Sequence, residues 1–368
     1  MGTDRVAPAV HCNMISAWLV MIPGLIAPTF SKYLVSNGVS YVPAPPVYVA
    51  EVGVGILWSR DSRYLAAQAL GHQFKVPATR AKLRDGQDLI YGSSLVRVDT
   101  LTGDTTEVFR EREGVNVHSA QFVGPSGDLL ITTTEIVDGK IGWRLYFAPT
   151  GKANATSVGN FVPSPISPAI LSSPTERRAI VAYSDADDKL IVTEVSAEGI
   201  RPIEGIEGWR GGQFSGIDQR NQGVLAVYRF KEGAARPDEA EGGMFVIDFA
   251  RGTARKLTDQ DPVPTLVRPN PPLFRADVYE TRRTRRSDEP GVSPSTMPTP
   301  ELIADGLEKN FDLDFLDETR RVSMARGIWR YFEVSPDGLK VAYRTDSGFF
   351  TRELVPVSKA TAAKLAGG

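Results

Sequence analysis

The chain has 368 residues, 42% of them hydrophobic and 23% charged, with a formal net charge of −2. That composition suits a globular protein and supplies no global basic field, so no nucleic-acid partner is expected. A single cysteine, Cys12, excludes an internal disulfide framework, and three scattered histidines (His11, His72, His118) give no metal-ligand cluster, so no metal or cofactor is expected.

From Val6 to Ser59 only Lys32 and Glu51 carry charge. Within this stretch Met14 to Phe30 is an uncharged run of 17 residues. A membrane-spanning helix needs roughly 20 apolar residues, and Pro23 and Pro28 interrupt helical hydrogen bonding. A secretory signal has a basic start and a small-residue cleavage site. Here Arg5 is offset by Asp4, and Leu25-Ile26-Ala27 is followed by Pro28. Residues 1–30 therefore read either as a degenerate signal or anchor, or as ordinary chain. The first reading implies a periplasmic or secreted protein, with membrane contact only through this segment; the second implies a cytoplasmic one. A start of translation at Met14 would place the run properly at the N-terminus.

One short unit then recurs: an apolar residue, a tight turn and a short strand. Trp58-Ser59-Arg60-Asp61-Ser62 leads into Tyr64 to Ala67, and Val123-Gly124-Pro125-Ser126-Gly127 into Leu129 to Thr132. Ser172-Ser173-Pro174-Thr175 leads into Ala179 to Tyr183, and Phe214-Ser215-Gly216-Ile217-Asp218 into Val224 to Tyr228. The clearest copy is the last, Val334-Ser335-Pro336-Asp337-Gly338 before Leu339 to Tyr343. Pro presets φ at the second turn position, Asp or Gly permits the reversal, and the small or β-branched residues that follow suit a strand covered on both faces.

A second hairpin follows each copy. Leu95 to Asp99 runs to Gly103, and Met244 to Asp248 runs to Gly252 with the same Asp-to-Gly spacing. A fourth short segment comes after each glycine, as in Thr105 to Phe109 and Ala254 to Thr258. Each unit is then four antiparallel strands, one blade of a β-propeller. The Pro-Asp-Gly turn with its downstream apolar-Asp hairpin resembles the TolB-type repeat, over Val47 to Thr258 and again over Gly327 to Val355. The resemblance implies an all-β propeller that docks other proteins on its faces. Spacing of the turns gives six blades, with seven as the alternative. Closure is expected from an N-terminal strand, near Tyr33 to Val35 or Val39 to Val42, completing the last blade.

Residues 31–357 are thus expected to form one propeller, with an irregular insertion at about 259–327 and a tail at 358–368. The insertion opens with Pro262, Pro264, Pro269, Pro271 and Pro272, and carries the cluster Arg282, Arg283, Arg285 and Arg286. Thr299, Pro300 and Gly306 predict a turn or two of helix across Glu301 to Leu307. Phe311, Leu313, Phe315 and Leu316 alternate with aspartates and predict a strand of a degenerate blade.

Two sets of side chains are candidate binding residues, and none is a candidate catalyst. The four arginines suit phosphate or an acidic partner, or serve only as a solvated loop. The second set comes from aligning the repeats. Trp209 and Trp329 each stand five residues before an apolar turn residue and precede Arg210 and Arg330; the same offset lands on His118 and Ser167. Convergence of these positions on a central channel would give a site for a polar or anionic ligand; otherwise the tryptophans pack between blades. Asp61, Asp218 and Asp337 are read as turn-capping residues. No Gly-x-Ser-x-Gly elbow, His-Glu-x-x-His or phosphate loop occurs. Two functions stand side by side: a non-catalytic module that binds a protein partner or small polar ligand, and an enzyme, a hydrolase or lyase on a sugar or peptide, with its site at the channel mouth.

Overall fold

A computed structural model describes residues 28–367 apart from 51–53, 76–88, 126, 165, 186–188, 231–239, 269, 281–308 and 330–331. The described residues open with four short strands, β1 (Thr29–Phe30), β2 (Leu34–Ser36), β3 (Val39–Pro43) and β4 (Val47–Ala50). Four sheets of regular topology follow, each with strands paired in chain order. The first holds β5 (Val54–Trp58), β6 (Tyr64–Lys75), β7 (Leu89–Asp99) and β8 (Thr105–Phe109). The second holds β9 (Val115–Val123), β10 (Asp128–Val137), β11 (Lys140–Ala148) and β12 (Thr156–Ser157). The third holds β13 (Ala169–Ser172), β14 (Arg178–Ser184), β15 (Leu190–Ser196) and β16 (Gly199–Pro202). The fourth holds β17 (Arg210–Ile217), β18 (Gln222–Phe230), β19 (Ala240–Asp248) and β20 (Thr253–Lys256).

The fifth sheet is β21 (Arg275–Glu280), β22 (Lys309–Leu316) and β23 (Arg320–Trp329), with β1 added in parallel at its outer edge. The sixth is β24 (Phe332–Val334), β25 (Lys340–Thr345) and β26 (Gly348–Val357). Its outer strand comes from the other end of the chain: β4 pairs with Phe349 to Thr351 and β3 with Leu354 to Val357, both antiparallel. The expected closure by Val39 to Val42 is therefore present, and so is the expected strand across Phe311 to Leu316. A helix, α1 (Lys359–Gly367), ends the described chain; Ser358 caps it by accepting from the Thr361 N–H at 3.1 Å, and Ala362 is buried.

The described residues thus form six sheets arranged as a β-propeller. The first strands of neighbouring sheets pack together (β5 on β9, β9 on β13, β13 on β17, β24 on β5), which places them innermost. The turns that end these strands gather on one face, here called the turn face, and each is hydrogen-bonded to a neighbour. Gly124 N–H donates to Ser173 O at 3.0 Å, Leu273 N–H to Asp337 O at 2.9 Å, and Asp337 N–H to Ser62 Oγ at 3.0 Å. Buried Arg97 joins the first sheet to the second by donating to the Gly127 and Ala148 carbonyls at 3.2 and 3.3 Å. Arg352 joins the sixth to the fifth through the Met324 carbonyl at 2.9 Å.

The fifth sheet departs from its neighbours. Leu273, just ahead of β21, lies against the turn of the sixth sheet, so β21 starts at the turn face, whereas the innermost strands of the other sheets end there. The place of an ordinary first strand is taken by the proline-rich connector 259–273. Val267 N–H donates to Ile217 O at 2.7 Å and Gln219 N–H to Thr265 O at 3.1 Å. Proline lacks the N–H that a ladder strand needs, so this stretch cannot zip onto β21.

Apolar side chains fill five seams between sheets. Phe109 and Tyr146 lie between the first and second sheets, Leu130 and Phe147 between the second and third, and Trp209 and Phe245 between the third and fourth. Phe315 and Tyr343 lie between the fifth and sixth, and Trp58 and Phe349 between the sixth and first. Among the described residues no apolar cluster joins the fourth sheet to the fifth.

Candidate functional site

The innermost strands lie nearest the shared axis, so their exposed side chains are the candidates for an axial site. β9 pairs Ser119 with Thr132 but Val117 with Thr133, so His118 is the extra residue of a β-bulge. The side-chain parity shows the same shift: Val115 and Val117 face the first sheet, and so do Ala120 and Phe122. A bulge re-aims the inserted residue, here the imidazole. The first sheet braces it. Gln68 Nε2 donates to Val117 O at 2.7 Å, and Val117 N–H donates to buried Ser93 Oγ at 2.6 Å. Gly55 on β5 makes room for the brace, since a Cβ there would stand 3.3 Å from Gln68 Oε1.

His118 is exposed, yet enough protein surrounds it for desolvation to push its pKa below the ordinary value. The imidazole has no hydrogen-bond or ion-pair partner among the described residues. Gln213 and Ser215 on β17 and Glu333 on β24 are likewise exposed on innermost strands. Desolvation pushes the Glu333 carboxyl up. Its backbone is fixed by Trp58 Nε1, which donates to Glu333 O at 3.1 Å. Desolvation alone lowers Arg60, in the turn after β5. Glu333 stands two residues ahead of Ser335 and His118 six ahead of Gly124. At a rise of about 3.3 Å per residue, that puts His118 roughly 10 Å farther from the turn face, allowing for the bulge. His118 and Glu333 therefore line different levels of the axis.

Of the four positions aligned by sequence, only His118 lies on an innermost strand. The turn after β17 follows Ile217: Asp218 N–H donates to Gln222 O at 2.9 Å, as Ser335 N–H does to Lys340 O. The offset counted from Phe214 was therefore displaced by the bulges of β17, and Trp209 is not equivalent to Trp329. Trp209 is 5% exposed, edge-on to Phe245 at 5.4 Å, with Arg229 and Lys256 over its ring. Trp209 therefore packs between the third and fourth sheets. Trp329 ends β23, a strand remote from the axis, where Arg344 stacks on it at 4.0 Å and its Nε1 donates to Asp346 at 3.0 Å. Arg210 opens β17 and is half-buried, opposite Tyr228. Ser167 precedes β13. Arg330, the cluster Arg282, Arg283, Arg285 and Arg286, and the helix expected over Glu301 to Leu307 lie outside the described residues.

The turn aspartates do cap turns. Asp337 Oδ1 accepts from Ser335 Oγ at 2.5 Å and from Leu339 N–H at 2.9 Å; Asp61 repeats this with Ser59 Oγ and Arg63 N–H. In Asp218 one carboxylate serves both positions, accepting from the Arg220 and Gln222 N–H groups at 2.9 Å each.

Two further acid–base groupings are held together by buried ion pairs and hydrogen bonds. Glu135, 4% exposed, accepts from Tyr146 Oη at 2.7 Å, Thr133 Oγ1 at 2.9 Å and Arg144 Nε at 3.1 Å. Burial, with Glu135 alongside, pushes the Tyr146 hydroxyl up to about 12. Buried Asp314 is held by Tyr279 Oη at 3.0 Å, Arg321 Nε at 2.9 Å and Arg326 Nη2 at 3.1 Å. The Glu135 group spends its hydrogen bonds internally, whereas Asp314 Oδ1, buried beside Arg326, accepts no hydrogen bond. A shallow cleft at the sixth–first seam is lined by Tyr48, Thr100, Lys340 and Arg352; Lys340 Nζ donates to Ser62 O and Thr100 Oγ1 at 3.0 Å each. Among the described residues no cluster of His, Cys, Asp and Glu has the makings of a metal site, and no helix is long and apolar enough to cross a membrane.

No family profile matches the sequence, and no curated protein matches it. Among solved structures, TolB from Acinetobacter baumannii is 13% identical over 92% of this chain and 66% of its own, with a TM-score of 0.32. Dipeptidyl peptidase 4 from Porphyromonas gingivalis is 15% identical over 65% of this chain, which spans 40% of that enzyme, with a TM-score of 0.36. An oligogalacturonate lyase from Vibrio parahaemolyticus is 10% identical over 88% of this chain and 96% of its own, with a TM-score of 0.33. At these identities and scores the likenesses carry no family, ligand or activity to this chain, whose propeller fold rests on its own strand pairing.

Proposed function

We propose that the chain is a non-catalytic binding propeller, TolB-like in its repeat, that takes a small polar ligand at the axis around His118 and a protein partner on its surface. The carrying observation is the imidazole itself: set on a bulge braced from the neighbouring sheet, exposed, and left without a partner. A neutral imidazole offers one donor and one acceptor, which suits a carboxylate, amide or sugar hydroxyl. The repeated Asp-held turns support the TolB-like reading of the repeat. The self-contained Tyr146–Glu135 grouping favours binding over hydrolase or lyase chemistry. A periplasmic or secreted location belongs to the same proposal, through the uncharged run Met14 to Phe30.

The test is a thermal-shift panel on the full chain with citrate, glucuronate, galacturonate oligomers and short peptides, repeated on His118→Ala. One class is expected to raise the Tm, since a ligand that binds only the folded state stabilises it. His118→Ala should lose that shift while keeping the Tm of the free protein. A shift that survives His118→Ala removes this site, and turnover of the bound probe, read by mass spectrometry, turns the reading into an enzyme.

A further inference from the structure

The seam between the fourth and fifth sheets is unlike the rest. The fifth sheet turns Val278, Leu313, Phe315 and Met324 toward the sixth. Its opposite face is polar: Asp277, Tyr279, Asp312, Asp314, Arg321 and Arg326. A sheet apolar on one face and polar on the other is built for contact with water or a polar partner on the second. The fourth sheet points the other way chemically. Leu225, Val227, Phe245 and Ile247 fill the third–fourth seam, so Tyr228 and Met244, of opposite parity, look toward the fifth; they are 38% and 40% exposed. At the turn-face end lies the connector, with Val263 87%, Leu266 39% and Val267 49% exposed. Phe30, under Arg321 and Arg326, is 66% exposed on the polar side. Of the twelve large apolar side chains that stand exposed among the described residues, these six border one seam. Concentration of that kind marks an interaction surface, whereas single exposed apolar residues do not.

The charges of the seam define what fits it. Arg321 is paired with Asp277 and Asp314, and Arg326 with Asp312 and Asp314. Two arginines are left over. Arg268, next to Val267 in the connector, and Arg275, on the same face of β21 as Asp277, are exposed with no hydrogen-bond or ion-pair partner among the described residues. Asp259, at the start of the connector, is likewise exposed with no partner among the described residues, so the two arginines outnumber it, and they adjoin the apolar stretch. We infer that this seam is the docking cleft for an acidic, apolar peptide segment of a partner protein: apolar residues against Met244, Leu266 and Val267, carboxylates on Arg268 and Arg275. The inference rests on the reading of the chain as a binding module, but on different residues from the axial site.

The probe is a fluorescein-labelled peptide of about ten alternating glutamates and leucines, with its lysine–leucine counterpart as control, followed by anisotropy on the full chain at low salt and again at about 0.5 M salt. The glutamate peptide is expected to bind and the lysine peptide not. Arg268→Glu with Arg275→Glu should weaken binding about tenfold or more, Leu266→Ser should weaken it independently of charge, and His118→Ala should leave it unchanged. Equal binding of both peptides, no binding, or indifference to the arginine reversal each overturns the cleft. So does binding that appears only after residues 1–27 are removed, because the seam then belongs to the chain's own N-terminus. Peptide-blocked dimerisation in sedimentation would assign the seam to a second copy and overturn it too. Loss of the small-ligand shift in His118→Ala with no peptide binding leaves the axial site standing and removes only the cleft.

Discussion

The second sheet and the fifth sheet are built from strands of similar length and pairing, yet they solve burial differently. β10 and β11 are covered on both sides: Leu129, Ile131 and Tyr146 face the first sheet, while Leu130, Leu145 and Phe147 face the third. The fifth sheet covers one face only, and its other face is a lattice of aspartates, arginines and a tyrosine. A propeller blade gains its stability from neighbours on both sides, because a lone sheet cannot hide two apolar faces. Where a neighbour is withdrawn, the sequence must supply polar alternation instead. The fifth sheet does so, in the one place where a proline-rich connector replaces an innermost strand.

The comparison breaks most decisively at the core positions. Leu130 is fully buried, so Leu130→Ala should cost about 2–5 kcal/mol in transfer and cavity terms. Met244 is 40% exposed toward the open seam, so Met244→Ala should fall within about 0.5 kcal/mol of the parent. Chemical denaturation of the two variants reads the difference directly. Equal losses would mean that the fourth sheet is covered on both faces, and the contrast between the seams would vanish.

A smaller effect sharpens how the ring is locked where the connector rejoins it. Gly338 has φ +71°, and a Cβ there would stand 2.6 Å from Pro272 Cβ and 2.8 Å from Leu273 N. Gly139 has nearly the same φ, +70°, in the Asp138–Gly139 hairpin, with nothing within 4 Å. Alanine at Gly139 should cost only the left-handed strain, about 1–2 kcal/mol. Alanine at Gly338 should cost that and more, because the connector must shift. If the two substitutions cost the same in denaturant, the connector does not clamp the turn of the sixth sheet.

Much of this was legible from residues alone. The Ser-Pro-Asp-Gly turn specifies its own hydrogen bonds, so Asp337 and Asp61 could be assigned as caps without coordinates. Phe311 to Leu316 carried plain alternation and became a strand, and Val39 to Val42, one of two segments expected to close the last blade, pairs with β26. What failed was counting across bulges. β17 inserts residues around Gly211, Gly212 and Ser215, so an offset measured from Phe214 missed the true turn residue, Ile217, and wrongly paired Trp209 with Trp329. Burial decides a tryptophan's role, and spacing does not report burial. The axial Glu333 and Gln213 passed unnoticed for a related reason: one polar residue in a short apolar strand carries no signal until the strand is known to be innermost. The seam between the fourth and fifth sheets left a trace, the prolines at 262–272, but not which face would be left open.

The smallest predicted effect concerns a single proton. His118 has its pKa lowered by desolvation, so in the window just below the ordinary histidine value the unfolded chain binds more protons than the folded one. Stability that His118 contributes is therefore complete above that value and falls as pH drops through the window. Carbon-13 labelled histidine, observed by NMR, should show the His118 imidazole titrating below the ordinary range, a signal absent from His118→Gln, and that variant should flatten the stability loss in the window just below the ordinary histidine value. Because the side chain is exposed the slope will be slight, yet the titration midpoint is a sensitive gauge of where the imidazole sits. An ordinary midpoint would place His118 on an open surface, away from the axis that the proposed ligand site needs.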